Sequence, residues 1–290
     1  MTQPILGPVP ARRDAARRRL ALAIACAALA SGCAHATRGG PTRSLDLPDD
    51  VEVVFVEGAR GAGERVAQVL PEALAAVTSR WGDLRDPLRV EVLPDHASLE
   101  EAVDRKGYAW LRAWARRSEV WLQAPSTWGL LGASDAALRE LLVHELTHVV
   151  MYQRAAHEDD WRRRQIPIWF REGMASWTAR QGYRRTKLPD IAAWLRDHPG
   201  EDPVAGADAM YRDSDGLVYA AGHHAFAFLV DRYGLPAVKA LMARMYATGE
   251  TFPEAFEETI GISMEDFEAE FKRFVRLEGW RRPDSSRGHP

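Results

Sequence analysis

The chain has 290 residues, 46% of them apolar and 27% charged, which is enough for one large folded domain or two smaller ones around a cleft and excludes a disordered or collagen-like chain. Its formal charge of −3 excludes a nucleic-acid binder driven by global positive charge, because phosphate neutralisation needs a clustered surplus of Lys and Arg. The longest uncharged apolar run, residues 20–34, is too short and too rich in Ala to read as a transmembrane helix.

Residues 1–33 have the three parts of an export signal: a basic stretch with Arg12, Arg13, Arg17, Arg18 and Arg19, an apolar stretch over 20–30, and the small residues Ser31 and Gly32 before Cys33. The run Leu29-Ala30-Ser31-Gly32-Cys33 resembles a bacterial lipoprotein lipobox, and the resemblance implies a mature chain that begins at an acylated Cys33 and is held to a lipid bilayer. Cys26 leaves with the signal, so the mature chain keeps no free thiol for a disulfide, a metal or a thiolate nucleophile. Losing residues 1–32 removes five Arg and one Asp and leaves 33 basic against 40 acidic residues, a formal −7. Ala34 follows the Cys where such lipoproteins usually carry Asp for inner-membrane retention, which points to the outer membrane, facing the periplasm.

Residues 34–46 carry Gly, Pro, Thr, Ser and Arg without hydrophobic period and read as a flexible tether; residues 280–290 read as a disordered tail. Between them, 47–279 form the folded part. Residues 51–56, 88–93 and 119–124 alternate or are β-branched and predict strands, with a helix over 63–81; Pro125 suits the end of an edge strand. After Ser134 the period turns helical, predicting helices near 134–153, 167–181, 188–196, 216–233, 235–248, 252–260 and 263–277, punctuated by Gly182, Gly200, Gly234 and Gly261. A small mixed sheet with helices (about 47–130) followed by a mainly helical lobe (about 131–279) is an α+β fold, with the active-site cleft expected between the lobes. The charged stretch 154–165 reads as a solvated loop over that cleft, with His157 at the surface.

The chemistry concentrates on His144-Glu145-Leu146-Thr147-His148, in the middle of the helix that opens at Ser134-Asp135. Residues four apart share a helix face, so both imidazoles can reach one Zn²⁺, while Glu145 lies about 100° around the helix, placed for a water on the metal rather than the metal itself. The uncharged neighbours Leu141, Leu142, Val143, Leu146, Val149 and Val150 bury this helix, where two unpaired histidines are costly and a metal relieves the cost. Glu172 follows 24 positions after His148, early on the helix after Pro167, and Gly173 permits close backbone approach there. Two His and one Glu leave a fourth coordination position open, the arrangement of a catalytic rather than a structural zinc.

With these residues in place, 134–274 resembles the gluzincin metallopeptidases, the thermolysin-like group with His-Glu-x-x-His followed by a glutamate ligand. More closely it is similar to peptidase-MA-like domains of bacterial exported proteins, in which a Trp-Phe-x-Glu-Gly-x-Ala segment supplies that glutamate, here Trp169 to Ala175. The resemblance implies a zincin-like fold, His144, His148 and Glu172 as zinc ligands, Glu145 as the base that activates a zinc-bound water, and a peptide or protein substrate. It also favours Tyr219 as second oxyanion donor, with His223 and His224 of the same helix as the other candidates. One position departs from the pattern: thermolysin-like enzymes carry an acidic residue four after the ligand glutamate, where this chain has Ser176. The gluzincin edge strand beside the cleft corresponds to 119–124. The competing reading is a non-catalytic, zinc-containing lipoprotein that binds peptides or assists envelope assembly; hydrolysis of another zinc-polarised amide, such as a cell-wall cross-link, uses the same ligands.

Overall fold

The computed structural model describes residues 41–157, 160–211 and 215–280. The export signal, Cys33, the first part of the tether and the tail from 281 lie outside the described residues. No helix among the described residues is long and apolar enough to cross a membrane.

Strands β1 (Thr42–Leu47) and β2 (Val51–Val56) pair antiparallel around a turn in which Asp49 and Asp50 take φ of 65° and 55°, a conformation Asp tolerates. Helix α1 (Arg60–Trp81) crosses over to β3 (Leu88–Leu93), which is parallel to β2, and lays Val66, Leu70, Ala73, Val77 and Trp81 on the sheet at helical spacing. After α2 (His96–Val103), the short β4 (Ala113–Ala115) turns back antiparallel onto β5 (Glu119–Gln123), itself parallel to β3. The five strands run in the order β1-β2-β3-β5-β4. One face of the interior strands, with Val53, Val90, Val92 and Leu122, is buried under helices, while the other carries Glu52, Arg89 and Glu91 and is covered by α2 toward Leu93 and Trp121.

Two expectations change here. Residues 42–46, read as tether, form most of β1: Leu45 and Leu47 are half-buried against the core, and pairing with β2 supplies the backbone partners that composition could not announce. The strand over 119–123 is not an edge. It lies between β3 and β4, and the three-residue β4, too short to show a period, is the edge on that side, with β1 at the other.

The remainder is helical: α3 (Asp135–Ala155), α4 (Ile168–Thr178), α5 (Leu188–Asp197), the single turn α6 (Ala207–Met210), α7 (Asp215–Thr248), α8 (Phe252–Ile260) and α9 (Met264–Trp280). The two helices expected over 216–248 are continuous except at Gly234, whose φ of 82° breaks the run where the sequence placed its glycine. The mixed α+β architecture, a small N-terminal sheet with a mostly helical remainder, stands as read. One apolar core runs from the sheet through α1 and α3 into α4 and α7, and a smaller cluster around Leu99 and Trp121 packs under α2. Within 154–165 the expected solvated loop is a 3-10 turn, Trp161–Arg164, in which Arg164 is 2% exposed, paired with Asp160 and donating to the Gly249 carbonyl.

Candidate metal centre

Helix α3 is buried on nearly every face along its second half, and Ser134 caps it by accepting from the Ala137 amide at 3.2 Å. One turn apart on this helix, His144 and His148 set their rings 5.0 Å apart and nearly perpendicular. Helix α4 brings Glu172 to the same point because it packs unusually close to α7. A Cβ on Gly173 would fall 2.3 Å from the Gly222 carbonyl and 2.7 Å from Phe226 Cβ, so only glycine allows this approach.

Glu172 Oε2 lies 3.4 Å from His144 Nε2 and 3.6 Å from His148 Nε2, and it is buried without a hydrogen-bond partner among the described residues. Two ligands bonded at about 2.0–2.1 Å to a tetrahedral ion stand roughly 3.3–3.4 Å apart, so Glu172 already has nearly that spacing from each imidazole, and all three ligand atoms lie within 4.8 Å of one another. The group could hold a metal ion. A carboxylate oxygen buried between two nitrogens and otherwise unsatisfied is costly without a cation, and this donor set suits zinc. Burial alone would raise the Glu172 carboxyl; the facing imidazoles of His148 and His144 hold it well below the usual carboxylate range. For its neighbour in the site the balance reverses: burial pushes Glu145 up to about 7 against the pull of His144, and Glu172 adds a smaller push.

The orienting partner of His144 is not at position 176. Nδ1 of His144 lies 3.2 Å from Gln181 Oε1, and the same oxygen accepts from Arg185 Nη2 at 2.8 Å, which identifies it as the amide oxygen. Such an oxygen only accepts, so His144 Nδ1 carries a proton, which leaves Nε2 as the nitrogen that can ligate a metal. Ser176, where an acid was expected from the resemblance, instead receives Arg185 Nε at 3.1 Å and meets His223 Nδ1 at 3.0 Å. His148 has no counterpart to Gln181: its Nδ1 is buried without a partner among the described residues, and its ring stacks on Tyr152 at 6.2 Å.

The three potential ligands and Glu145 open on a cavity of about 340 Å³ lined on one side by β4 and on the other by α3, α4 and α7. Tyr219 lines it too, its hydroxyl 2.9 Å from that of Tyr211 and its ring 5.0 Å from the Arg185 guanidinium; burial, then Glu172, holds its hydroxyl well above the usual range. His223 points to Ser176, and His224 Nε2 meets the Thr186 carbonyl at 2.9 Å. Sequence reasoning missed Tyr211, Gln181 and Arg185, which stand in or beside short turns without period, and Trp110, whose ring meets both Tyr211 and Tyr219 edge-on at 6.1 Å. Arg171 and Asp208 also line the cavity. For Arg171 the adjacency to Glu172 was the one available signal.

No protein-family model matches the chain, and no curated protein matches it. Among solved structures it is similar to a variant of the M1 zinc metallopeptidase of Deinococcus radiodurans, at 14% identity and a TM-score of 0.42, over 86% of this chain and 54% of that one. Aminopeptidase A of Legionella pneumophila in complex with aspartic acid is similar at 15% identity and 0.49, over 76% of this chain and 26% of that one. A two-domain M1 zinc metallopeptidase variant bound to L-arginine is similar at 15% and 0.39, over 81% and 51%. The chain spans about half or less of each of these proteins.

Proposed function

We propose that this chain is a zinc-dependent peptidase of gluzincin type with a zincin-like fold, exported and held to the bacterial envelope through acylated Cys33, at the outer membrane facing the periplasm. One observation carries the reading: Glu172 Oε2, buried and without a hydrogen-bond partner, stands between two imidazole nitrogens at the wall of a cavity. His144, His148 and Glu172 would hold the ion. When bound, a zinc ion supplies a Lewis acid that polarises a carbonyl and acidifies water.

The other steps belong to side chains. Glu145, buried one position from His144 at the cavity, takes a proton from the attacking water and returns it to the leaving amine. Tyr219 stays protonated and donates to the developing oxyanion, with Tyr211 orienting its hydroxyl. The free edge of β4 pairs with an extended peptide and draws it across the cavity, which serves as the substrate cleft. Gln181, backed by Arg185, holds His144 in the tautomer a metal needs.

The test is metal analysis of protein purified without chelators, combined with a mixed-peptide cleavage profile. Stoichiometric zinc and cleavage products abolished by Glu145→Gln are expected. Zinc with peptide affinity but no products points to the non-catalytic module, and absence of a transition metal removes the reading altogether.

A further inference from the structure

Residues 124–134, between β5 and α3, contain no charged side chain, and at their tip Leu130 and Leu131 are 104% and 99% exposed. Single exposed leucines are ordinary; two adjacent ones on a held projection are not. The base of the loop is closed by the Ala133 amide donating to the Pro125 carbonyl at 2.8 Å and by Arg65 Nη2 donating to the Ala133 carbonyl at 2.6 Å. The Trp128 indole donates to the Gln123 carbonyl at 3.0 Å, and Gly129 and Gly132, at φ of 66° and 71°, bracket the two leucines. The loop therefore presents its apolar tip outward by construction, with a tryptophan just behind it.

Sheet topology says what it faces. Thr42 pairs with Val56, at the carboxyl end of β2; Leu93 pairs with Gln123, and the three inner strands are parallel. The chain thus enters the fold at the same end of the sheet from which the leucine loop leaves. Eight residues lie between Cys33 and Thr42, nine Cα-to-Cα steps with a reach of at most about 30 Å, while β1 and β5 are three strand spacings apart, about 14 Å. A bilayer holding Cys33 is within reach of the loop.

We infer that the Leu130-Leu131 loop is a second membrane contact, entering the acyl boundary of the bilayer in which Cys33 is anchored, with Trp128, packed against the core, bracing the loop from behind. The inference rests on the lipoprotein part of the proposed function and not on the peptidase part. Anchor and loop together give two attachment points and fix the tilt of the domain on the surface, which a tether alone leaves free. The uncharged loop favours lipid over a charged protein partner.

The experiment uses the full-length acylated protein carrying Leu131→Cys, which the mature chain makes its only free thiol, labelled with an environment-sensitive fluorophore. It is reconstituted in phosphatidylethanolamine–phosphatidylglycerol vesicles with and without brominated acyl chains, with Asp83→Cys, exposed at the far end of α1, as the solvent reference. A blue shift with bromolipid quenching at 131 and none at 83 supports the inference. A label at 131 that stays open to aqueous iodide overturns it, as does one shielded equally without lipid in a concentration-dependent way, which indicates a second copy of the chain. Leu130→Asp, added to the labelled Leu131→Cys protein, should retain the cleavage rate on a soluble peptide and the melting temperature while the label loses its quenching; retained quenching overturns the proposal. Mass spectrometry of the Cys33 peptide reads the anchor separately, so a missing acyl chain and a solvent-exposed loop are distinct failures.

Discussion

Two regions reverse the usual sorting of side chains in opposite directions. Where α3 meets α4, two imidazoles and two carboxyls are 7–8% exposed or nearly so, within an otherwise apolar helix pair. Between β5 and α3, two leucines stand in solvent on a loop with no charge. Each arrangement costs stability by itself, and each is held by specific neighbours: Gln181 and the Gly173–Gly222 approach in one case, the Ala133–Pro125 closure in the other. Such local conflicts mark sites that need something from outside the chain. In the two proposals made above, a cation answers the polar one and a lipid surface the apolar one.

The comparison breaks most sharply at Glu145. Glu145→Gln keeps the shape of the site and removes its proton acceptor, so zinc stays bound while peptide hydrolysis falls by about 10²–10⁴, read as initial rate at saturating peptide. Retained turnover would falsify the assigned base. Next in size is Gly173→Ala, which forces a methyl into the Gly222 carbonyl. It should destabilise the fold by about 3 kcal/mol, roughly 10 °C in melting temperature, and weaken metal retention through Glu172.

Gln181→Leu leaves His144 Nδ1 without its acceptor, and zinc affinity measured against a competing chelator should drop about 10–100-fold. The apo protein should fold as before; an unchanged zinc Kd would show that Gln181 does not orient the ligand. Glu268 provides a contrast, a buried carboxyl without imidazoles: burial pushes it up to about 7 even though the Trp169 indole donates to it at 3.0 Å. Its folded pKa lies above the ordinary 4.5, so the folded state holds the proton more tightly. Stability from this group is full below about pH 4.5, declines as pH rises toward about 7 and is flat beyond, a loss of about 1–3 kcal/mol. Glu268→Gln should remove that slope in denaturant titrations at pH 5 and 8. Smallest is the pair Leu130→Asp and Leu131→Asp, expected to change stability by less than about 0.5 kcal/mol because neither side chain is packed.

The metal centre was legible to the extent that it is periodic. His144 and His148 share a face because four residues make about a turn, and Glu172 was found because Pro167 opens a helix and Gly173 signals a close contact, which Gly222 makes. Its support was not legible. Gln181 and Arg185 lie in and beside a four-residue turn, and what selects them is their distance from His144, fixed only after α3 and α4 pack. The edge of the sheet was misread for a similar reason: Pro125 after residues 119–124 suited an edge, yet it ends β5 in a 3-10 turn while β4 covers that strand's side.

The contact between Gly173 and Gly222 has a consequence for motion. Glu172 precedes one of these glycines directly and Tyr219 lies one turn before the other, so the third candidate ligand and the proposed oxyanion donor are riveted together, backbone against backbone, with no side chain between to take up slack. Sliding one helix past the other would drive the chain into a carbonyl. Any widening of the cavity therefore falls to its opposite wall, built by the three-residue edge strand β4 and the partly exposed Trp110.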